Sequence, residues 1–197
     1  MTAIPLPEPI ATPWRLPRRG PVGMLLFIVA EVSIFGVFVT TYLNYIGRSL
    51  TGPTPAEVLH FPVAMTVALL SSSATIHLAN GALRRGATTR FLGFWLATIL
   101  LGAGFLLGTA REWHELIFDH HLTIRTNLFG STYYALVGLH ASHVVAGMVL
   151  LLIVATFGLA GRVRPAHVER TDVLSLYWHF VDVVWIVVVT VVYVIGR

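Results

Sequence analysis

Five stretches of this chain are long enough and apolar enough to cross a lipid bilayer, and that feature limits its fold more than any other. They cover about 21–46, 61–83, 91–110, 128–160 and 173–196. At a rise of about 1.5 Å per residue, about 20 helical residues cross a hydrocarbon core of about 30 Å. Within lipid every backbone polar group must be satisfied inside the protein, which leaves helices or a closed barrel. Barrel strands would alternate apolar and polar residues over about ten positions, and none of these runs does so. The expectation is therefore all-α: an integral membrane bundle of five transmembrane helices. The run at 128–160 exceeds a perpendicular span, so it should tilt or protrude at its polar start, Gly130-Ser131-Thr132. Charge content agrees, since 11% of residues are charged, against about 25% in a typical soluble domain.

The charges also speak about partners. All 13 basic residues are arginine and nine residues are acidic, for a net charge of +4. The arginines are scattered between apolar runs, which points to a membrane and not to nucleic acid. With no cysteine, disulfides, thiolate metal sites and thiol nucleophiles are excluded. Residues 1–20 carry prolines at 5, 7, 9, 13 and 17 and read as an extended cytoplasmic tail. The tail lacks the pattern of a cleaved signal peptide, so the first spanning helix should act as an uncleaved insertion signal. Residues 21–197 then form one membrane domain.

Short cytoplasmic loops carry the excess of arginine. Arg15, Arg18, Arg19, Arg84, Arg85, Arg90, Arg162, Arg164 and Arg170 fall on one side, and Arg48, Arg111, Arg125 and Arg197 on the other. The N-terminus is therefore expected in the cytoplasm and the C-terminus outside. Tyr42, Tyr45, Trp113, Tyr133, Tyr134 and Tyr193 at outer helix ends, with Trp95, Tyr177 and Trp178 at inner ones, read as interfacial aromatic belts.

Ionisable residues inside spanning segments are costly and mark function. They are Glu31, His77, His140, His143, His179 and Asp182, with Asp172 at the entrance of the fifth run. Glu31 lies near mid-membrane and is either a packing group hydrogen-bonded to a neighbouring helix or a group that moves protons. His179 and Asp182, three residues apart, share one side of their helix and could form a hydrogen-bonded pair. His140 and His143 could ligate a metal or haem, or simply pack. The segment Arg111-Glu112-Trp113-His114-Glu115, with Asp119-His120-His121, is read as an outer loop with metal-type residues at the water interface. Gly104 and Gly108 form a small-xxx-small pair suited to close helix packing. Arg84 and Arg85, with Arg162 and Arg164, lie where guanidinium can hold a lipid phosphate.

The run Tyr177-Trp178-His179-Phe180-Val181-Asp182-Val183-Val184-Trp185 resembles the signature of subunit III of the haem–copper terminal oxidases. So does Gly130-Ser131-Thr132-Tyr133-Tyr134 through Gly138, His140, His143 and Val144. Glu112 and Glu115 match the family's E-x-x-E at a helix end, and Ser71-Ser72-Ser73-Ala74-Thr75-Ile76-His77 its polar, His-containing helix. Ala30-Glu31-Val32-Ser33-Ile34-Phe35 matches the element that carries the family's carbodiimide-reactive buried carboxylate. Asp172 stands where many members have Glu, and Ala30 where they have Ser. The resemblance runs from about Gly20 to the C-terminus and fits the family's five-helix branch, which lacks the first two helices of the seven-helix members.

The resemblance implies a non-catalytic accessory subunit of a respiratory oxidase in a bacterial cytoplasmic membrane. Haems and copper would lie in partner subunits and none in this chain. Partners would be subunit I, subunit II and a small subunit IV, with bound phospholipid, and cytochrome c or quinol would deliver electrons elsewhere in the complex. His77, Glu112, Glu115, His140, His143, Asp172, His179 and Asp182 would form the family's polar network. Arg84, Arg85, Arg162, Arg164 and Trp178 would be the lipid headgroup candidates. Alternatives are an accessory subunit of a nitric oxide reductase, a membrane cytochrome b with histidine-ligated haem, and a proton-coupled transporter built on Glu31 and Asp182.

Overall fold

The computed structural model describes residues 19–196. The proline-rich segment lies outside the described residues, apart from Arg19 and Gly20, which open the first helix. The chain forms α1 (Arg19–Tyr45), the single-turn α2 (Pro55–Val58), α3 (Val63–Arg84), α4 (Thr88–Phe118), α5 (Leu128–Leu159) and α6 (Val168–Val189). A 3-10 turn, Pro165–His167, precedes α6, and a π-helical turn, Thr190–Ile195, continues it. No strand occurs among the described residues. Five helices are long and apolar enough to cross a membrane, and the chain is a multi-pass membrane protein.

From α3 onward, consecutive spanning helices run as hairpins because the connections are short and carry defined stops. After α3, Gly86 takes φ +74 and the Ala87 N–H reaches back to Ala82 O at 3.0 Å. After α5, Gly161 takes φ +68 and the Arg162 N–H reaches Phe157 O at 2.9 Å. Both are glycine-closed helix ends, in which a left-handed residue lets the next N–H satisfy an orphan carbonyl. At the other end of the bundle Asn127 caps α5, its Oδ1 accepting from Gly130 N–H at 2.8 Å. The same side chain donates to Thr51 O and Pro53 O, and Ser49 Oγ accepts from Phe129 N–H at 3.0 Å, so the α1–α3 connection is tied to the start of α5. Within that connection the Thr54 N–H donates to Glu57 at 2.9 Å and holds its carboxyl below the usual range.

Around α6 the bundle closes. It packs on α1, α3 and α5, while α3 pairs with α4 and α4 with α5. Its last spanning window is 61% buried, against 6% for α1. Trp178 of α6 sits at the centre, 1% exposed, with its indole N–H donating to Ser72 Oγ of α3 at 2.7 Å. The ring lies against Gly102 of α4 and Gly147 of α5, so closely that a Cβ at Gly147 would meet Trp178 Cζ3 at 2.8 Å. These glycines make the close approaches. A Cβ at Gly104 would meet nothing within 4 Å, whereas one at Gly108 would run into the Met65 side chain of α3, so of the spaced pair only Gly108 makes a close helix approach.

Aromatic burial also departs from expectation. Tyr42, Tyr133, Tyr193, Trp95, Tyr177 and Trp178 are all 5% exposed or less. They are core residues and not membrane-interface belts; Tyr45, at 40%, is one that remains exposed. Trp95 shows the cause, since its N–H is satisfied by Leu151 O at 2.9 Å across the α4–α5 contact.

Candidate functional site

α4 is longer than its apolar run, continuing through Arg111, Glu112, Trp113, His114 and Glu115 to Phe118. That segment is helix and not loop. At 31 residues α4 is about 46 Å long and projects past a core of about 30 Å. Glu112 then turns inward, its Oε1 accepting from Tyr193 O–H of the π-helical turn at 2.7 Å. Glu115 points outward and lies 4.0 Å from His120. Among the described residues no three His, Cys, Asp or Glu come together as a metal-holding group.

Glu31 and His143 meet between α1 and α5, with Glu31 Oε2 3.0 Å from His143 Nε2. His143 Nδ1 is 2.8 Å from Leu139 O. A carbonyl only accepts, so Nδ1 carries a proton and donates it, which leaves Nε2 facing the carboxyl. One proton is then shared across the pair: either a carboxylic acid donates to neutral imidazole or an imidazolium donates to carboxylate. Tyr177 O–H donates to His143 O at 3.0 Å and Phe35 lies 5.1 Å from the imidazole, which fixes the pair's surroundings. The sequence left Glu31 without a partner, and α1 packing on α5 supplies one.

His140, one turn before His143, is fully buried. Its ring stacks on Trp185 at 5.1 Å and meets the edge of Phe105 at 5.7 Å. Its nitrogens have no hydrogen-bond partner among the described residues and face an aromatic enclosure. With both nitrogens of His143 engaged, the two histidines do not offer a shared pair of axial ligands, so the arrangement does not fit a haem here.

His179 and Asp182 do share one side of α6, but they are joined through a third residue. Ser73 of α3 lies 2.7 Å from His179 Nδ1 and donates a short hydrogen bond to Asp182 Oδ2. Two turns away Asn80 Nδ2 donates to Ser175 Oγ at 2.7 Å, and three turns away Arg84 pairs with Asp172 at 2.7 Å. His77 and His179 line the same groove. Ser73 and Asn80 were not singled out from sequence; the only hint was the polar Ser71-Ser72-Ser73 step in an otherwise apolar run.

Among the lipid candidates the structure separates roles. Arg84 is committed to Asp172. Trp178 is buried in the bundle centre with its N–H spent on Ser72, so it has no face for a headgroup. Arg162 lines a cavity of about 290 Å3 with Phe157, Val163, His167, Arg170 and Thr171. Arg164 is exposed, and its backbone N–H bonds to His167 Nδ1 at 3.2 Å. Arg85 is exposed at the end of α3.

The fold and these pairs define a polytopic membrane protein whose polar groups bridge helices in twos and threes. Residues 18–197 match the family described as Cytochrome c oxidase subunit III, and the chain belongs to that family. Among its relatives is cytochrome c oxidase subunit 3 of Corynebacterium diphtheriae, 35% identical over 91% of this chain and 89% of that one. The subunit 3 of Alkalihalophilus pseudofirmus is 32% identical over 88% and 85%. Cytochrome bo(3) ubiquinol oxidase subunit 3 of Pseudomonas putida is 35% identical over 88% and 84%.

Proposed function

We propose that the chain is the non-catalytic accessory subunit III of a respiratory haem–copper oxidase, docked on a subunit I that holds the haems and copper. The observation that carries this reading is the family match over nearly the whole chain, joined to an interior in which Glu31 meets His143 and Ser73 joins His179 to Asp182. Subunit II and a small subunit IV complete the complex, in a bacterial cytoplasmic membrane. Both a cytochrome c oxidase and a quinol oxidase subunit are among the relatives, so the donor is read from the partner chains. The α1 face supports docking or lipid contact, since Leu25, Leu26, Val29, Val32 and Val37 are all exposed there. Glu31 with His143 is the buried functional carboxylate pair, supporting proton uptake and turnover stability. Glu112, Asp172, His179 and Asp182 are helix-bridging polar groups beside it, and His77, Glu115 and His140 complete the polar network. Phospholipid headgroups are held at Arg162, joined by Arg170 and His167 from the same cavity, with Arg85 and Arg164 as further contacts.

Purification in mild detergent tests this. The chain is expected to co-elute with a haem- and copper-bearing subunit and with phospholipid, and the double substitution Arg162→Ala, Arg170→Ala should lower the lipid retained. A chain that elutes alone from membranes with full oxidase activity elsewhere would overturn the assignment.

From the arginine asymmetry we infer that the N-terminus lies in the cytoplasm. Single cysteines at Thr88, in the Arg-rich α3–α4 connection, and at Glu57, in the α1–α3 connection, should label from opposite faces with an impermeant thiol reagent. Thr88 should label from the cytoplasmic face. Labelling of both from one face would break the five-span topology, and Thr88 labelling from outside would reverse it.

A further inference from the structure

Polar side chains step inward along the α3–α6 contact from its Arg-rich end. On α3 they are Arg84, Asn80, His77 and Ser73; on α6 they are Asp172, Ser175, His179 and Asp182. Steps of three or four residues keep each set on one helix face. The two faces meet pairwise, Arg84 on Asp172, Asn80 on Ser175, and Ser73 on both His179 and Asp182. From Arg84 to Ser73 the string covers about 16 Å of helix rise, roughly half of the hydrocarbon core.

A cavity of about 450 Å3 follows this string, lined by His77, Asn80, Arg84, Asp172, Ser175 and His179. That is large against the roughly 30 Å3 a water molecule occupies, and the lining combines those polar side chains with Gly81 and Leu176. Two buried acceptors along the string have no protein partner among the described residues. They are Asn80 Oδ1, on a residue 6% exposed, and Asp182 Oδ1, on a residue 3% exposed. Buried acceptors of this kind are satisfied by ordered water. The groove opens at Arg84, whose side chain is 60% exposed, and along its side at His77, which is also exposed. The inner end is closed, because Val181, Val184, Trp185 and Val188 beyond it are buried apolar residues.

We propose that this groove is a hydrated, blind proton half-channel, and that Ser73 relays a proton between His179 and Asp182. In the loading step His179 is imidazolium, its Nδ1–H donates to Ser73 Oγ, and the Ser73 O–H donates to the Asp182 carboxylate. The Nδ1–H bond breaks as its proton passes to Ser73 Oγ. The original Ser73 O–H bond breaks as that proton passes to Asp182 Oδ2. His179 ends neutral with its proton on Nε2, Asp182 ends as a carboxylic acid, and Ser73 keeps one proton with its direction of donation reversed. No electron moves, and the reverse shift returns the proton to the groove. The closed inner end makes the string a holding site for one proton and not a leak across the membrane. The charged and titratable groups facing it are His77 and Arg84 from α3 and Asp172 from α6. From α4, Thr98 bonds to Thr75 at 2.8 Å, while His140 on Trp185 and the Glu31–His143 pair do not line the groove.

The relay deepens the reading of the chain as an oxidase subunit, and its test does not depend on turnover. In the purified complex, protons are released by a light pulse from a caged compound and the carboxylic C=O region is followed by infrared spectroscopy. The native complex should show a protonation band that Asp182→Asn abolishes. Ser73→Ala should slow the rise of that band by at least about tenfold, in line with the effect of removing a positioned proton-transfer group. Ser73→Thr, which restores the hydroxyl, should recover it to within about twofold. Ser73→Cys keeps the volume but donates weakly, should be slowed like alanine, and carries the comparison if the alanine variant does not assemble. Absence of an Asp182-dependent band, an unslowed rise in Ser73→Ala or Ser73→Cys, or failure of Ser73→Thr to recover in a complex with native subunit content would each overturn the relay. If the chain does not co-purify with an oxidase but the band and its Ser73 dependence remain in isolated bundle, the assembly reading fails and the relay stands.

Discussion

Gly147→Val is expected to lose much of the packed bundle. Even a Cβ at Gly147 would lie 2.8 Å from Trp178 Cζ3 and 2.9 Å from Cε3, and valine adds two methyl groups beyond it. The indole cannot swing aside, because its N–H is held by Ser72 Oγ and its far edge meets Gly102 of α4. Overpacking of this kind costs about 1–3 kcal/mol and occasionally more, and each 1.4 kcal/mol is about a tenfold change in the folded ratio. Unfolding in detergent, followed by loss of the folded subunit from the complex on heating, should show it. Gly104→Ala is the matched control: the added Cβ would meet no other helix within 4 Å, and alanine is the better helix former by about 1 kcal/mol. Equal heat resistance of Gly147→Val and the native chain would remove Trp178 from the centre of this account.

The second large effect is at the Glu31–His143 pair. Glu31→Gln keeps the shape, and its amide can donate to His143 Nε2, so the cost to folding should stay near the roughly 1 kcal/mol of one hydrogen bond. His143→Leu strands a carboxyl that is 13% exposed and should cost about 3 kcal/mol or more, as removal of one member of a buried pair does. The expected ordering is therefore His143→Leu well below Glu31→Gln in retained complex. Glu31→Gln should leave haem spectra unchanged but lower sustained proton uptake or shorten turnover lifetime. If Glu31→Gln instead prevents assembly, and whatever complex survives turns over as the native one does, Glu31 is a packing group and its proton role fails.

The number of spans was legible because hydrocarbon thickness imposes a length that no soluble helix has to meet, and five apolar runs met it. So was each intramembrane ionisable residue, since a polar group inside such a run stands out by cost alone. Motif resemblance added the family, which the comparisons then showed. Helix ends were less legible: α4 outran its apolar run by a further two turns, because a helix stabilised by tertiary contacts, here Glu112 on Tyr193, need not stop where hydrophobicity does.

The order of residues alone set the spanning helices and the list of groups too costly to bury unpaired. Which neighbour satisfies each of them follows from how the helices pack. Position along a helix fixes depth and face but not the neighbour, and the neighbour here always came from a distant segment: His143 for Glu31, Ser73 for His179 and Asp182, Ser72 for Trp178. The aromatic residues make the same point, since an indole at a helix end suits a membrane interface or a core equally well. Which it becomes depends on whether another helix brings an acceptor to its N–H, as α5 does for Trp95 and α3 for Trp178.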